Sequence, residues 1–327
     1  MKLASLKSGG RDGTLIVVSR DLSRAVTVPK IAPNLQTALD DWSKLAPGLH
    51  SVYEDLNHDR LESLPLDTKA LAAPLPRAYQ WLDGSAYLTH VERVRKARGV
   101  DMPPSFLVDP LMYQGNSAGF LGPCDPIRVA SEDWGVDFEA EVAVVTNDVP
   151  KGVSVDTAGA HIVLLMLVND VSLRNLLPQE LAKGFGFLHG KPGAAFSPVA
   201  VTPDELDADW ADAKVQTPIN IQLNQIVIAS PLAGRDMQFN FAQLIAHAAR
   251  TRPLPAGTII GSGTISNADI SRGCACIVEQ RVLEQLTTGS VSTEYLHDGD
   301  RVRIEMLDAA GQSIFGAIDQ EVQACPD

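Results

Sequence analysis

No hydrophobic run in the chain is long enough to cross a bilayer. The longest strongly apolar stretch, "IVLLMLV" from Ile162 to Val168, has seven residues, whereas a spanning helix needs about 20. The start, "MKLASLKSGGRDG", lacks the apolar segment of a secretory signal, so a cytoplasmic location is expected. Cysteine is scarce. Cys124, Cys274, Cys276 and Cys325 match no disulfide framework, which suits a reducing compartment. Cys274 and Cys276 form a lone C-x-C without the second pair a zinc finger requires, and are expected to be buried structural thiols. Positive charge is also short: 27 Lys and Arg face 40 Asp and Glu, a net charge of −13. That excludes a nucleic-acid backbone as partner, because such binding needs clustered cations. An anionic small substrate stays possible, since a bound cation or a local Arg or Lys inverts the field inside one cleft.

Several catalytic motifs are incomplete. "GNSAG" (Gly115 to Gly119) has the G-x-S-x-G form that would make Ser117 a nucleophile. That elbow needs a helix after the serine, and Pro123 and Pro126 stand in the way. His90 and Glu92 followed by Pro123 and Cys124 have part of a zinc-deaminase pattern, but position 127 is Ile127 rather than the second cysteine. Gly257, Gly261 and Gly263 lack the Lys-Ser/Thr of a P-loop and read as turn glycines, and no dinucleotide-binding G-x-G-x-x-G opens a helix. Internal repeats and low-complexity tracts are missing too.

With 327 residues and 45% hydrophobic content, the chain can bury a large core, in one large and one small domain. "LASL" and "TLIVVS" around "SGGRDG" predict a hairpin, and Leu35 to Leu61 predicts a helix broken near "APG". "LPLDTKALAAPLPRA" reads as a linker. "AYLTHVERVRKARG" has Val91, Val94 and Ala97 at helical spacing, with Arg93, Arg95, Lys96 and Arg98 on a face expected to be solvated. The remainder reads as strands, among them "FEAEVAVVT", "HIVLLMLVND", "INIQLNQIVIA", "GTIIGSGTIS", "CACIVEQRVL" and "RVRIEMLD", interrupted by one helix, "FNFAQLIAHAART". The predicted class is α+β and β-rich, a roll or sandwich of mixed sheets rather than a doubly wound sheet.

"VDFEAEVAVV" (Val136 to Val145) is the most informative stretch. On a continuous strand Asp137, Glu139 and Glu141 would share one face, about 6.6 Å apart, and ionised neighbours would repel by roughly 2–3 kcal/mol at an effective dielectric near 20. Such a stripe is either a solvated acidic surface or part of a hard-cation site. Asp170, directly after the apolar run, and Asp83, seven residues before His90, are further oxygen donors.

Taken together, these residues resemble the fumarylacetoacetate hydrolase family from about Pro76 to the end of the chain. The resemblance rests on Asp83 and His90 at a spacing of seven, D-x-E-x-E at Asp137 to Glu141, "NDVSLR" (Asn169 to Arg174), the Gly-Lys pair at Lys191, and "GTISN" (Gly263 to Asn267). It implies a mixed β-sheet roll for residues 76–327, with residues 1–75 as a small α/β accessory domain. It also implies a divalent cation, Mg²⁺ first and Ca²⁺ or Mn²⁺ next, held by Asp83, Glu139, Glu141 and Asp170. His90 would be the general base, oriented by Glu279, with Lys191 stabilising developing negative charge. Arg174, Tyr113 and Thr264 would contact a small anionic oxo acid, and the enzyme would be a homodimer. The implied activity is hydrolysis of a C–C bond in a 1,3-diketo acid. Decarboxylation, hydration or isomerisation of 2-oxo acids is the alternative on the same fold, and a non-catalytic ligand-binding protein the alternative outside it.

Three departures from the family pattern stand out. Leu177 occupies the position three after Arg174 where hydrolase members often carry Gln, with Gln179 the nearest amide. Arg98 is the nearest candidate for a basic residue expected after the histidine, and Asn267 replaces the last glycine of the threonine loop.

Overall fold

The computed structural model describes residues 1–97 and 99–325, so Arg98 lies outside the described residues. The apolar run of the sequence becomes the strand Ile162–Asn169, and it is buried along its whole length. Both of its faces are covered, which is why it reads as continuous rather than alternating. Leu165 and Leu167 join one hydrophobic cluster with Val142 and Val144 of the neighbouring strand Ala140–Thr146. Leu164, Met166 and Val168 join a second cluster on the opposite face with Ala143 and Val145.

These two strands are the centre of an eleven-stranded sheet. On one side it runs out through Ala200–Val201 to the N-terminal strands Lys2–Leu6, Thr14–Val18, Arg24–Thr27 and Leu64–Pro65. On the other it continues through Ile259–Gly261 and Trp81–Gly84 to Met112–Gln114. The pairing of Ile259–Gly261 with Trp81–Gly84 is parallel within this otherwise largely antiparallel sheet. A second, five-stranded sheet contains Ile219–Leu223, Ile226–Ala229, Arg301–Met306, Ile318–Ala324 and Ile127–Val129. Its buried residues Ile219, Ile221, Val302, Ile304 and Ile318 pack into the first cluster together with Leu244 and Ile245 of the helix Phe241–Ala248. That helix starts at a capping box between Asn240 and Gln243. The mixed, β-rich roll expected from the sequence is the architecture observed, with helical decoration.

Four local expectations are corrected. The stretch "CACIVEQRVL" is not a strand: after Cys276 it forms the helix Ile277–Thr288, with Ile277, Glu279 and Val282 buried and Gly289 in the left-handed conformation at its end. The break in the N-terminal helical region falls at Asp41, between Leu35–Asp40 and Trp42–Asn57, while Pro47 sits inside the second helix. The supposed linker is packed: Leu71, Ala73 and Leu75 are buried, and Leu71 bridges to Leu6. Finally, "VDFEAEVAVV" is two short strands, Val136–Asp137 and Ala140–Thr146, so its carboxylates do not form one stripe.

Candidate active site

Asp137 serves the fold. Its carboxylate accepts from the Ile277 and Val278 backbone N–H groups at 2.7 and 3.0 Å, so it caps the buried start of the helix Ile277–Thr288. It also accepts from Arg174 Nε at 2.7 Å. Glu139 and Asp170 are tied together through the backbone, Asp170 N–H donating to the Glu139 carbonyl at 3.0 Å. Glu141 follows on the central strand, opposite Val168.

Asp83 reaches the same place from two strands away. Gly261 pairs with Ala143 on one side and with Asp83 on the other, so only a glycine separates them. A Cβ at Gly261 would stand 2.3 Å from Asp83 Oδ1 and 2.5 Å from the Trp81 ring, so no other residue leaves room for that carboxylate. The next glycine, Gly263, has φ +76°, and its N–H donates to Asp83 Oδ1 at 3.2 Å. These glycines shape the acidic cluster as well as the turn.

Carboxylate oxygens of Asp83, Glu141 and Asp170 converge within 4.8 Å of one another, and all three residues are buried. Among the described residues, neither oxygen of Glu141 has a hydrogen-bond donor. Burial, and after it the neighbouring carboxylates, pushes Asp83 and Glu141 well above the usual carboxylate range; burial raises Asp170 as well, against the pull of Lys191. Such a set of converging oxygens, those of Glu141 unpartnered, fits a hard divalent cation, which would satisfy Glu141 and remove the mutual repulsion.

Glu139 stands apart from this trio, with its own cations. Lys191 Nζ donates to Glu139 Oε2 at 2.5 Å and to Asp170 Oδ2 at 2.6 Å, and Arg174 Nη2 donates to Glu139 Oε1 at 2.6 Å. Burial alone would raise the Glu139 pKa, but Lys191 and Arg174 outweigh it and hold the group well below its ordinary value. Burial alone would lower the Lys191 pKa, but Asp170 and Glu139 outweigh it and hold the ammonium above its ordinary value. Tyr113 donates to Asp170 Oδ2 at 2.5 Å and lies under Lys191 Nζ, which is 5.6 Å from its ring centre.

His90 lies on the helix Leu88–Ala97, and its Nδ1 is 2.6 Å from Glu279 Oε2. Glu279 is 1% exposed, and its other oxygen accepts from Ser266 Oγ at 2.8 Å and from Arg93. Burial works against ionisation of Glu279, but these hydrogen bonds, that of His90 foremost, hold its pKa below the usual value. Arg93 is therefore not part of a solvated face. Its signal in the sequence was position: three residues after His90, it shares that residue's side of the helix.

A cavity of about 650 Å³ is lined by Asp83, His90, Tyr113, Glu139, Arg174, Lys191 and Thr264, among others. Leu177 is on the same wall. Gln179 is exposed and lines a different depression beside Trp134, so it does not take the place of the missing amide. The loop before Lys191 is held by buried Glu180, which accepts from the N–H groups of Leu188, His189 and Gly190 at 2.7–3.1 Å. Glu180 was not singled out from the sequence, where it looks like an ordinary helix-surface acid.

Residues 80–323 match the family described as fumarylacetoacetate (FAA) hydrolase C-terminal. The chain belongs to the fumarylacetoacetate hydrolase family. Residues 1–77 match the family's companion, fumarylacetoacetase N-terminal domain 2. The chain is 28% identical to a fumarylacetoacetase of Arabidopsis thaliana over 256 residues, 70% of this chain and 56% of that protein. It is 28% identical over 166 residues to a mitochondrial oxaloacetate tautomerase of Xenopus laevis, 50% of each chain. It thus spans about half the length of these curated relatives. Among solved structures it resembles a fumarylacetoacetate hydrolase from Exiguobacterium antarcticum, with a TM-score of 0.69 at 20% identity, covering 99% of this chain and 100% of that one. It also resembles a maleylpyruvate hydrolase from Sphingobium in complex with manganese(II) and pyruvate, with a TM-score of 0.66 at 17% identity and coverage of 99% and 100%. At these identities the likeness concerns the fold. Among the described residues, no helix is long and apolar enough to cross a membrane.

Proposed function

We propose that this family member is a metal-dependent hydrolase that cleaves a C–C bond of a 1,3-diketo acid of the acylpyruvate type. The observation that carries the reading is the His90–Glu279 pair at 2.6 Å, with His90 on the wall of the same cavity as Asp83 and Lys191 and Glu279 buried behind it. A binding protein needs no oriented base there.

Asp83, Glu141 and Asp170 would hold the divalent cation, Mg²⁺, Mn²⁺ or Ca²⁺, with Glu139 beside them. When bound, the ion supplies Lewis-acid polarisation of the substrate's oxygens. The chain's own groups do the rest. With Nδ1 on Glu279, His90 takes a proton from water at Nε2, and Glu279 stabilises the resulting imidazolium. The water oxygen bonds to the carbonyl carbon, the adjacent C–C bond breaks, and its electron pair remains on the departing fragment as an enolate. The imidazolium then returns its proton to that fragment. Lys191 and Arg174 hold positive charge against the developing anion, Tyr113 and Thr264 position the oxo acid, and burial around Glu279 keeps bulk water away from the base. Residues 1–75 act as the accessory domain, and the functional unit is a cytoplasmic homodimer.

Leu177 favours a second reading. It is 8% exposed and puts an apolar surface where an amide could donate to an oxyanion. Losing one such donor costs roughly 2.7–4 kcal/mol in transition-state stabilisation. A tautomerase or decarboxylase of 2-oxo acids needs one donor fewer, and fumarylacetoacetate itself is then a poorer substrate than a smaller acylpyruvate. The test is kcat/KM across acylpyruvates, fumarylacetoacetate and oxaloacetate, with Mg²⁺ or Mn²⁺ and with chelator. Chelator-sensitive release of two carboxylic-acid products supports the hydrolase. Turnover confined to enol–keto exchange or CO₂ release transfers the assignment to the second reading.

A further inference from the structure

We propose that His90, Cys276 and Glu279 form a second metal site, distinct from the all-oxygen cluster and selective for a thiophilic divalent cation such as Zn²⁺, whose occupation switches the base off. A ring nitrogen of His90, the Cys276 sulfur and a Glu279 oxygen all lie within 4.8 Å of one another. Two ligands about 2.0–2.3 Å from a tetrahedral ion stand roughly 3.3–3.7 Å apart. The His90–Glu279 contact of 2.6 Å must therefore open by less than about 1 Å, while the sulfur, no more than 4.8 Å from either partner, closes in by at most about 1.3 Å. Glu279 Oε1 is already held by Ser266 and Arg93, which leaves Oε2, the oxygen facing His90, to bind the ion.

The donor types decide which ion binds where. Asp83, Glu141 and Asp170 offer oxygen alone and suit hard cations, whereas a nitrogen, sulfur and oxygen set suits Zn²⁺ or Co²⁺. Cys276 precedes the helix Ile277–Thr288, whose start Asp137 already caps, so it is the ion that draws the proton from the thiol. Binding releases one proton, from the thiol to solvent, and makes one metal–sulfur bond. Formal charges stay modest, because the ion's two positive charges meet the thiolate and the Glu279 carboxylate. Arg93 remains on Oε1 and opposes the ion, placing affinity below that of a structural zinc site. Once an ion takes the His90 lone pair, or breaks its contact with Glu279, the imidazole cannot accept a proton from water.

The metal site itself does not rest on the hydrolase reading; only its inhibitory consequence does. The test is titration of the full chain, loaded with excess Mg²⁺, with Co²⁺ followed by absorption, and with Zn²⁺ followed by turnover. One equivalent of Co²⁺ is expected to give a thiolate-to-cobalt charge-transfer band. Cys276→Ser, which keeps a good helix-capping residue, is expected to lose the band and Cys274→Ser to keep it. Zn²⁺ should inhibit the wild-type enzyme, and Cys276→Ser should raise the half-inhibiting Zn²⁺ concentration at least tenfold while basal turnover is unchanged. Cys276→Ala provides the same comparison if the serine variant folds poorly. A missing band, or equal Zn²⁺ inhibition of wild type and both Cys276 variants, overturns the site. A band that follows Cys276 in a protein that turns over no oxo acid sustains the site and overturns the hydrolase reading instead.

Discussion

Replacing Glu141 with Gln should stabilise the metal-free protein and abolish its stabilisation by metal. Two ionised carboxylates 4.8 Å apart repel by roughly 3–4 kcal/mol at an effective dielectric near 20. Burial and the neighbouring carboxylates push Glu141 toward its protonated form, which relieves part of that repulsion at a cost of its own. The strain charged to Glu141 is on the order of 3 kcal/mol. An amide of the same shape removes it, and its N–H₂ can donate to Asp83 or Asp170. At roughly 2.1 cal/mol/K per residue of unfolding entropy, a chain of 327 residues converts 3 kcal/mol into a Tm rise on the order of 4 °C. Metal moves the comparison the other way: at 1,000 times its Kd it adds about 4.1 kcal/mol to the wild type and little to the variant. Thermal melts of both proteins, with chelator and with Mn²⁺, should therefore cross. The reasoning is refuted if Glu141→Gln melts lower than wild type in chelator, or if the wild-type Tm ignores Mn²⁺.

Three further outcomes are expected. His90→Ala should lower turnover by about 10²–10⁴ without changing Mn²⁺-induced stabilisation, and Glu279→Gln should act in the same direction and non-additively with it; a kinetic double-mutant cycle checks both. Gly261→Ala should cost about 1–3 kcal/mol through overpacking and weaken metal binding severalfold, because its Cβ would enter the space of Asp83 Oδ1; calorimetric Mn²⁺ titration measures the second effect. Buried Lys2 is held at about 8, below its ordinary 10.5, by desolvation, while its Nζ donates to the Ser313 and Ile314 carbonyls. Because its folded pKa is the lower one, the unfolded chain holds more protons between those values, and stability rises with pH across that window. Wild type should gain up to about 3 kcal/mol on Lys2→Met between pH 8 and 10.5, as read from urea unfolding at each pH.

Much of the site was legible because spacing in the sequence maps onto short rigid elements. Asp83 lies near the end of the strand Trp81–Gly84 and His90 in the helix that follows, so a gap of seven residues fixes both against one cavity. The apolar run ending in Asp170 marked a strand buried on both faces. What spacing could not show was which neighbour each charge would meet. Asp137 looked equivalent to Glu139 and Glu141, yet two residues outside regular strand pairing sent it to a helix start. The "CACIV" segment ends in β-branched residues that suit strands, and the buried cap supplied by Asp137 helps it begin a helix instead. Arg93 belonged to a run of cations that looks solvated in one dimension, but Glu279 reaches it from a segment 186 residues away.

Lys191 has a consequence for the protein's life before it meets a metal. Lodged between Glu139 and Asp170, with Arg174 on the far side of Glu139, it is a counterion the chain brings with it. Many small metallo-domains, zinc fingers among them, unfold when the metal is withdrawn. Here part of the acidic charge is balanced by ion pairs with the chain's own side chains, from the moment it folds. The scaffold can therefore assemble empty, wait, and exchange its ion without coming apart, so chelation should act as a reversible brake on turnover and leave the protein folded.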